Sequence, residues 1–485
     1  MKHIPSALIL ASLLAAALIS CGAEDAQTAV TTDADTASIT EAETEAPRIT
    51  ANLPERDFGG EEFTFYGRDD SVWGSSDILS HQTDGEQIND ALYERTSYIE
   101  DTYNVKLAVI ESPVTDAKTA ITAGDDSFDV IVSMVYDAGS LSVDGLLLDL
   151  NAVDNLDLTK EWWAQSTNSS LSIANRQYYA TGDIFIIDNK GTRVFFFNKD
   201  IIRDLDLENP YDLVDDNKWT LDKYIAMCEA TLADLNGDNT YTRDADRYGT
   251  MAQTTFGSML YFASGNLLTG KDANDIPYAL CGTEKAINVM TGISDKIAGL
   301  TSISTSNETS VTGIHPDNVS YFMDGRVLFM PEVLLHIETL RDCTVDVGIL
   351  PPPKYDESQD KYVCYADGWC VNVVSIPITN TNPDDAGFLL EAMAADSLNN
   401  LTPAYFDVVL TDKYARDAQS VRMLDLILDS VVMDNANIFS WATIESTVAD
   451  AIYKGGAIAS TVEKRMKSLE KAITKTVDAI LALEQ

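Results

Sequence analysis

The sequence predicts an α/β fold arranged as two lobes. Segments with strand patterning alternate with segments of helical period, the signature of a mixed α/β architecture. One apolar run is nearly continuous, as in a strand covered on both faces. The part able to fold, from Asp57 onward, is roughly 430 residues long, which suits two lobes of roughly 200 residues each.

Residues 62–66 (EFTFY) form the first strand. From Glu86 to Tyr103, Ile88, Leu92, Ile99 and Tyr103 recur at helical spacing. Residues 105–110 (VKLAVI) make a second strand, and a short helix runs through 117–123. Residues 128–135 (FDVIVSMV) are the continuous apolar run. Two strand–helix–strand units in succession imply parallel strands with right-handed crossovers. Residues 184–187 and 193–198 read as paired strands around Asn189-Lys190-Gly191, a hairpin signal. Thr220 caps a helix reaching Leu232. Residues 327–330, 345–350 and 369–374 are further short strands. In 461–483, Val462, Met466, Leu469, Ile473, Val477 and Ile480 share one stripe with Lys and Glu opposite, which predicts an amphipathic surface helix. A lone coiled-coil seam fits less well, because the stripe spans only about three heptads.

The first residues are read separately. Lys2 gives a positive start, and 8–19 is an apolar run too short for the ~20 residues of a membrane span. Leu18-Ile19-Ser20-Cys21 then precedes Gly22, which resembles the bacterial lipobox. Residues 1–20 are therefore a lipoprotein signal peptide, and Cys21 is the lipid attachment site, carrying a diacylglycerol with palmitate-like chains. A plain secretory signal with an incidental Cys is the alternative. Acyl chains contribute ~0.8 kcal/mol per buried CH₂, so more than one chain anchors stably. Residues 21–56 contain Ala, Thr, Glu and Asp with Pro47 and Pro54 and no aromatics, and read as the lipidated Cys followed by a disordered acidic tether. The expected location is the cell membrane, lipid-anchored on the extracytoplasmic side.

Acidic residues number 77 against 33 basic, a formal net charge of −44. That field repels nucleic acid and anionic lipid, so the anchor is the only expected membrane contact and a monomer the expected state. Beyond Cys21, the odd set Cys228, Cys281, Cys343, Cys364 and Cys370 reads as buried free thiols. Extended chain between Cys364 and Cys370 would span ~20 Å, too far for a disulfide.

Six segments, in order, carry a family resemblance. They are Gly124-Asp125-Asp126 before the third strand, 145–150 (GLLLDL), 195–200 (FFFNKD), 218–222 (KWTLD), 323–330 (MDGRVLFM) and 347–351 (VGILP). Together they resemble the extracellular solute-binding proteins of carbohydrate ABC importers, the family that includes maltose-binding protein. The resemblance implies a type II periplasmic-binding-protein-like fold, with a cleft between the lobes and hinge crossovers near 183–194 and 365–370. Lobe 1 would comprise 57–184 plus 371–430, and lobe 2 would comprise 190–365 plus 435–485. The implied function is capture of a sugar or oligosaccharide by lobe closure and delivery to ABC transporter permease subunits.

A sugar site needs aromatic faces for the rings and carboxylates or amides for the hydroxyls. Trp73 lies in a polar loop after the first strand, and Tyr136 and Asp137 follow the third, at strand C-termini where α/β proteins bind ligands. Asp367 and Trp369 lie on the second crossover. Trp441 starts a stretch resembling the family segment that carries a stacking aromatic. Glu332 falls where the family places cleft contacts, and a capping carboxylate for the next helix is the other reading. Trp219 is expected in the core, and Trp162 and Trp163 over the core of lobe 1.

The loop 234–246 sets Asp234, Asn236 and Asp238 at positions 1, 3 and 5 of a calcium-loop pattern, with Thr240, Thr242 and Asp246 as further oxygen donors. One structural calcium is the ion reading; a polar Asx-turn loop is the other. No other cofactor is expected. His3, His81, His315 and His336 have no metal-ligand spacing, and no nucleophile elbow or P-loop occurs. The chain therefore reads as a receptor rather than an enzyme. The rivals are a secreted lipid-anchored glycosidase using a pair of acidic residues, and a surface adhesin lipoprotein.

Overall fold

The computed structural model describes residues 48–68, 78–306, 317–340, 343–411 and 418–483. The predicted signal peptide, Cys21, most of the tether and Trp73 lie outside the described residues.

Two mixed sheets carry the fold. Their strands are, in chain order, β1 (Glu61–Arg68), β2 (Val105–Ser112), β3 (Val130–Met134), β4 (Arg193–Asn198), β5 (Tyr248–Ala252), β6 (Ile303–Thr305), β7 (Val327–Val333), β8 (Val347–Leu350) and β9 (Asn372–Ser375). The first sheet has the order β9-β3-β1-β2 and the second β8-β4-β7-β5-β6. In the first, β1 runs parallel to β2 and β3, and β9 is antiparallel to β3. In the second, β5 runs parallel to β6 and β7, whereas β4 is antiparallel to β7 and β8. The chain thus builds one lobe, crosses to build the other, and returns to add β9 to the first.

The predicted βαβ units are present. Helix Gln87–Tyr103 joins β1 to β2, and helix Val114–Thr122 leads to β3. Gly124 makes the turn before β3 with φ +80, a conformation that costs an L side chain strain. Asp129 then accepts the Thr64 backbone N–H at 2.7 Å and ties β3 to β1. In the first lobe, Trp162 and Trp163 donate their indole N–H groups to Glu391 at 3.1 and 2.8 Å, so both serve the core. Burial raises the Glu391 carboxyl, and the Trp163 indole opposes that shift. Trp219 is buried in the second lobe and donates to the Pro351 carbonyl at 2.9 Å. Thr220 caps helix Leu221–Thr231 as predicted.

Three expectations are corrected. The hairpin around Asn189-Lys190-Gly191 does not form; Ile187–Lys190 is a helical turn, and β4 pairs with β7 and β8 instead. Every residue of β4 is buried, so both its edges need partners, and a hairpin supplies one. The last predicted strand begins at Asn372 rather than Trp369, because Asp367 to Cys370 makes a turn closed by Cys370 N–H donating to the Asp367 carbonyl at 2.8 Å. Helix Ala418–Leu428 belongs to the second lobe, not the first, so the boundary at 430 lies too late. Its Met423, Leu424 and Ile427 are buried, and Tyr211 and Ser420 share a hydrogen bond at 2.9 Å.

The crossovers run side by side, with Thr192 bridged to Ala366 and Cys364–Tyr365 paired to Val431–Val432. Helix Ile458–Leu481 buries the predicted stripe at Val462, Leu469, Ile473, Val477 and Ile480. Cys228, Cys281, Cys343 and Cys364 are buried free thiols, and Cys370 is half-buried.

Candidate functional site

Side chains from both lobes and from the returning crossover converge where the crossovers meet. Arg193 opens β4 beside the hinge. Its guanidinium contacts Asp367 Oδ2 at 3.2 Å and Glu332 Oε2 at 3.5 Å. Burial alone would disfavour its charge, but the carboxylates of Asp367 and Glu332 outweigh burial and raise its pKa.

Glu332 lies inside β7 and is fully buried. Gln253 Nε2 donates to both of its oxygens at 3.0 Å, Asn318 Nδ2 donates at 2.6 Å, and His336 Nε2 lies 3.8 Å away. These partners make it a member of a polar network rather than a helix cap.

On the crossover, Asp367 accepts the Trp369 backbone N–H at 3.2 Å, which fixes the turn that presents Trp369. Trp369 is 51% exposed and stacks on Tyr136 with ring centroids 4.4 Å apart and planes at 21°. Tyr136 and Asp137 sit in the first turn of helix Val135–Val143, directly after β3. Val135 N–H donates to the Val371 carbonyl at 2.9 Å and docks this helix to the crossover. Burial raises the Asp137 carboxyl, with Arg68 pulling the other way. Tyr136 of the first lobe stacks on Trp369 of the crossover, the adjacent Asp367 meets Arg193, and Arg193 meets Glu332 of the second lobe. The arrangement offers an aromatic face beside fixed donors and acceptors, which suits a polyhydroxylated ring.

Two sequence-predicted features lie elsewhere. Trp441 is 3% exposed, stacks on Phe439 at 5.1 Å and donates its indole N–H to Thr476 Oγ1 at 2.9 Å. It is a packing residue against the C-terminal helix, not a cleft platform. In the loop 234–246 the oxygens serve the loop's own amides. Asp234 accepts from Gly237 and Asn239 N–H at 2.7 and 2.8 Å, Asn236 from Asp238 N–H at 3.0 Å, and Asp238 from Thr240 N–H at 2.7 Å. Asp246 accepts from Thr242 and Leu235 N–H at 2.7 and 2.9 Å, and the Thr242 hydrogen bond leads in lowering its pKa. These are Asx-turn contacts. Among the described residues, no three His, Cys, Asp or Glu side chains gather as a metal site.

Arg193, Gln253 and Asn318 were not singled out in the sequence. For Arg193 a signal exists: a lone charge at the head of the otherwise apolar run RVFFFN.

The family model for bacterial extracellular solute-binding protein matches residues 95–418, about two thirds of the chain. The chain belongs to this family. Solved structures of similar fold include an ABC substrate-binding protein from Listeria monocytogenes in complex with cycloalternan, at TM-score 0.54 and 12% identity over 86% of this chain and 99% of that one. A cyclo/maltodextrin-binding protein complexed with maltotetraose is similar at TM-score 0.53 and 14% identity, covering 87% and 98%. UgpB from Mycobacterium tuberculosis in complex with glycerophosphocholine is similar at TM-score 0.51 and 14% identity, covering 86% and 99%. No curated protein sequence matches this chain. At these identities the likeness establishes a two-lobed solute-binding fold. The neighbours' ligands differ, so the ligand of this solute-binding protein must be argued from its own side chains. Among the described residues, no helix is long and apolar enough to cross a membrane.

Proposed function

We propose that this solute-binding protein captures a sugar or oligosaccharide between its lobes and passes it to the permease subunits of an ABC importer. Closure brings the second lobe over the ligand, and opening releases it. The observation that carries the reading is Trp369, a half-exposed indole backed by Tyr136 beside the Arg193, Glu332 and Asp367 network. The negative face of the indole attracts the weakly positive C–H face of a pyranose, and Asp367 beside it supplies an acceptor for ring hydroxyls. Saccharide ligands in two neighbours of the same fold support this choice. The protein acts as a monomer, held to the outer face of the membrane by lipid on Cys21. Loop 234–246 holds its shape through Asx turns.

The receptor reading is favoured over a glycosidase. Retaining and inverting glycosidases need one carboxyl free to protonate the leaving oxygen and a second on the opposite side of the bond. Glu332 and Asp367 both face the same guanidinium, and Glu332 is saturated by amide donors. Titration with maltooligosaccharides and cycloalternan, followed by chromatography of the recovered ligand, tests the proposal. Saturable binding with unchanged ligand supports it; hydrolysis would make the protein an enzyme. Small-angle scattering should also show the radius of gyration shrink on ligand addition.

A further inference from the structure

The crossover that bears Trp369 is held from the C-terminal segment through one chain of hydrogen bonds. Gly368 N–H donates to Asn437 Oδ1 at 2.9 Å. The same amide donates through Nδ2 to Glu445. Glu445 also accepts from Ser258 Oγ at 3.2 Å and from the Tyr365 hydroxyl at 3.4 Å. One carboxylate therefore joins the second lobe, the start of the returning crossover and, through Asn437, its turn. There is no slack at Gly368: a Cβ there would stand 2.7 Å from Asn437 Oδ1 and 3.2 Å from Val135 Cγ1. Val135 begins the helix that carries Tyr136, so the contact reaches both members of the stacked pair.

The segment that positions Asn437 and Glu445 is itself firmly fixed. Asp434 accepts the backbone N–H groups of Leu268 and Thr269 at 2.8 and 3.0 Å. Ile438 and Phe439 close to 3.1 and 3.2 Å of where a Cβ on Gly139 would be, on the Tyr136 helix. Ser440, Ala442 and Thr443 all adopt positive φ, at 47, 54 and 51°. Such strain in residues other than glycine persists only where surroundings over-determine it, and it concentrates at ligand clamps and switches. Here the strained turn redirects the chain so that Glu445, two residues beyond Thr443, faces Asn437.

We infer that Asn437 and Glu445 are positioning residues for ligand capture. They touch no ligand; they set the Asp367–Cys370 turn so that Trp369 lies flat on Tyr136 and presents its other face. The inference rests on the saccharide reading for its purpose, but the geometry is testable without a ligand. A Trp–Tyr pair stacked at 4.4 Å gives a near-ultraviolet circular dichroism band, which Trp369→Ala defines by its loss. Asn437→Ala should lose most of that band while far-ultraviolet ellipticity is kept. Asn437→Asp gives a second arm: burial raises the Glu445 carboxyl to about 8, so protonated acids at 437 and 445 can keep the hydrogen bond the amide makes, whereas once both have ionised they face each other with like charge. The groups around it are Glu445, Asp367, Asp434 and the Tyr365 hydroxyl, with Arg193 the nearby cation. The Asn437→Asp variant should therefore show the band in mildly acidic buffer and lose it as pH rises, by more than wild type does. A wild-type band in Asn437→Ala, or one in Asn437→Asp that follows the wild-type pH profile, overturns the positioning role. If Asn437→Ala does not fold, the Asn437→Asp profile alone decides. Failure of the saccharide reading looks different: Trp369→Ala then removes the band and leaves every saccharide titration unchanged.

Discussion

The same substitution at two tryptophans should give opposite results. Trp441 is 3% exposed, has its ring against Phe439 and its N–H on Thr476. Replacing a buried Trp with Ala costs about 3–5 kcal/mol through lost transfer energy and the cavity left behind. The Thr476 hydroxyl also loses its partner, which adds roughly 1 kcal/mol. For a unit of lobe size, 1 kcal/mol moves Tm by about 2–4 °C, so Trp441→Ala should lower Tm by about 8–24 °C. Trp369 is 51% exposed and stacks on Tyr136. That stack is worth about 0.5–1.5 kcal/mol beyond its buried area, so Trp369→Ala should lower Tm by only about 1–6 °C. Ligand affinity reverses the order. Truncating an aromatic anchor costs roughly 2 kcal/mol or more, about thirtyfold in Kd. Trp369→Ala should show that loss, and Trp441→Ala should bind within a few-fold of wild type at temperatures where it remains folded. Scanning calorimetry and titration calorimetry on the same preparations give both numbers. Thirtyfold weaker binding with an unchanged Tm for Trp441→Ala would make it the platform and refute this assignment.

Three further outcomes follow. Cys21→Ala should move the protein from the membrane to the soluble fraction; continued membrane association would place the anchor elsewhere. Adding a chelator to protein purified with calcium should leave Tm unchanged, because loop 234–246 is satisfied by its own amides; a lower Tm would point to a bound ion. Burial raises the Asp183 carboxyl to about 7 from 3.8, so the folded state holds a proton that the unfolded state has lost between those values. Stability from this group is complete below about 3.8 and falls as pH rises to about 7. Asp183→Asn keeps an acceptor for the Thr402 hydroxyl and should gain on wild type in denaturant midpoint across that window. A constant difference between the two would show that Asp183 titrates normally.

Local patterning carried most of the fold. The βαβ units, the Thr220-capped helix and the C-terminal stripe depend on periodicity and caps, which neighbouring residues largely decide. What failed depended on distant partners. The Asn-Lys-Gly signal before β4 is sound turn chemistry, yet β4 is buried at every position and finds both neighbours more than a hundred residues away, in β7 and β8. Helix Ala418–Leu428 carries no mark of which lobe it will join, because burying Met423, Leu424 and Ile427 requires only an apolar surface. The site divides in the same way. That Tyr136 lies beside Trp369 follows from topology, because strand ends and crossovers adjoin. Trp369 and Trp441 could not be told apart by composition. Thr476 and Phe439 cover Trp441, whereas Tyr136 backs the half-exposed Trp369, and those covers come from elsewhere in the fold.

The same reasoning explains why one cation matters in so acidic a chain. With a formal net charge of −44, further acidic surface changes little, but a buried carboxylate needs a fixed partner or it is driven neutral. Arg193 and Asp367 are separated by 174 residues in sequence, and Glu332 comes from a third segment. A guanidinium is a planar fork that can meet two carboxylates at once, whereas an ammonium is a point charge on a flexible stem. Arg193 therefore does two things from one position. It joins Asp367 to Glu332, and it ties the returning crossover to the second lobe. The placement of the two carboxylates and the seating of the crossover consequently rest on the same side chain, so neither can shift without the other.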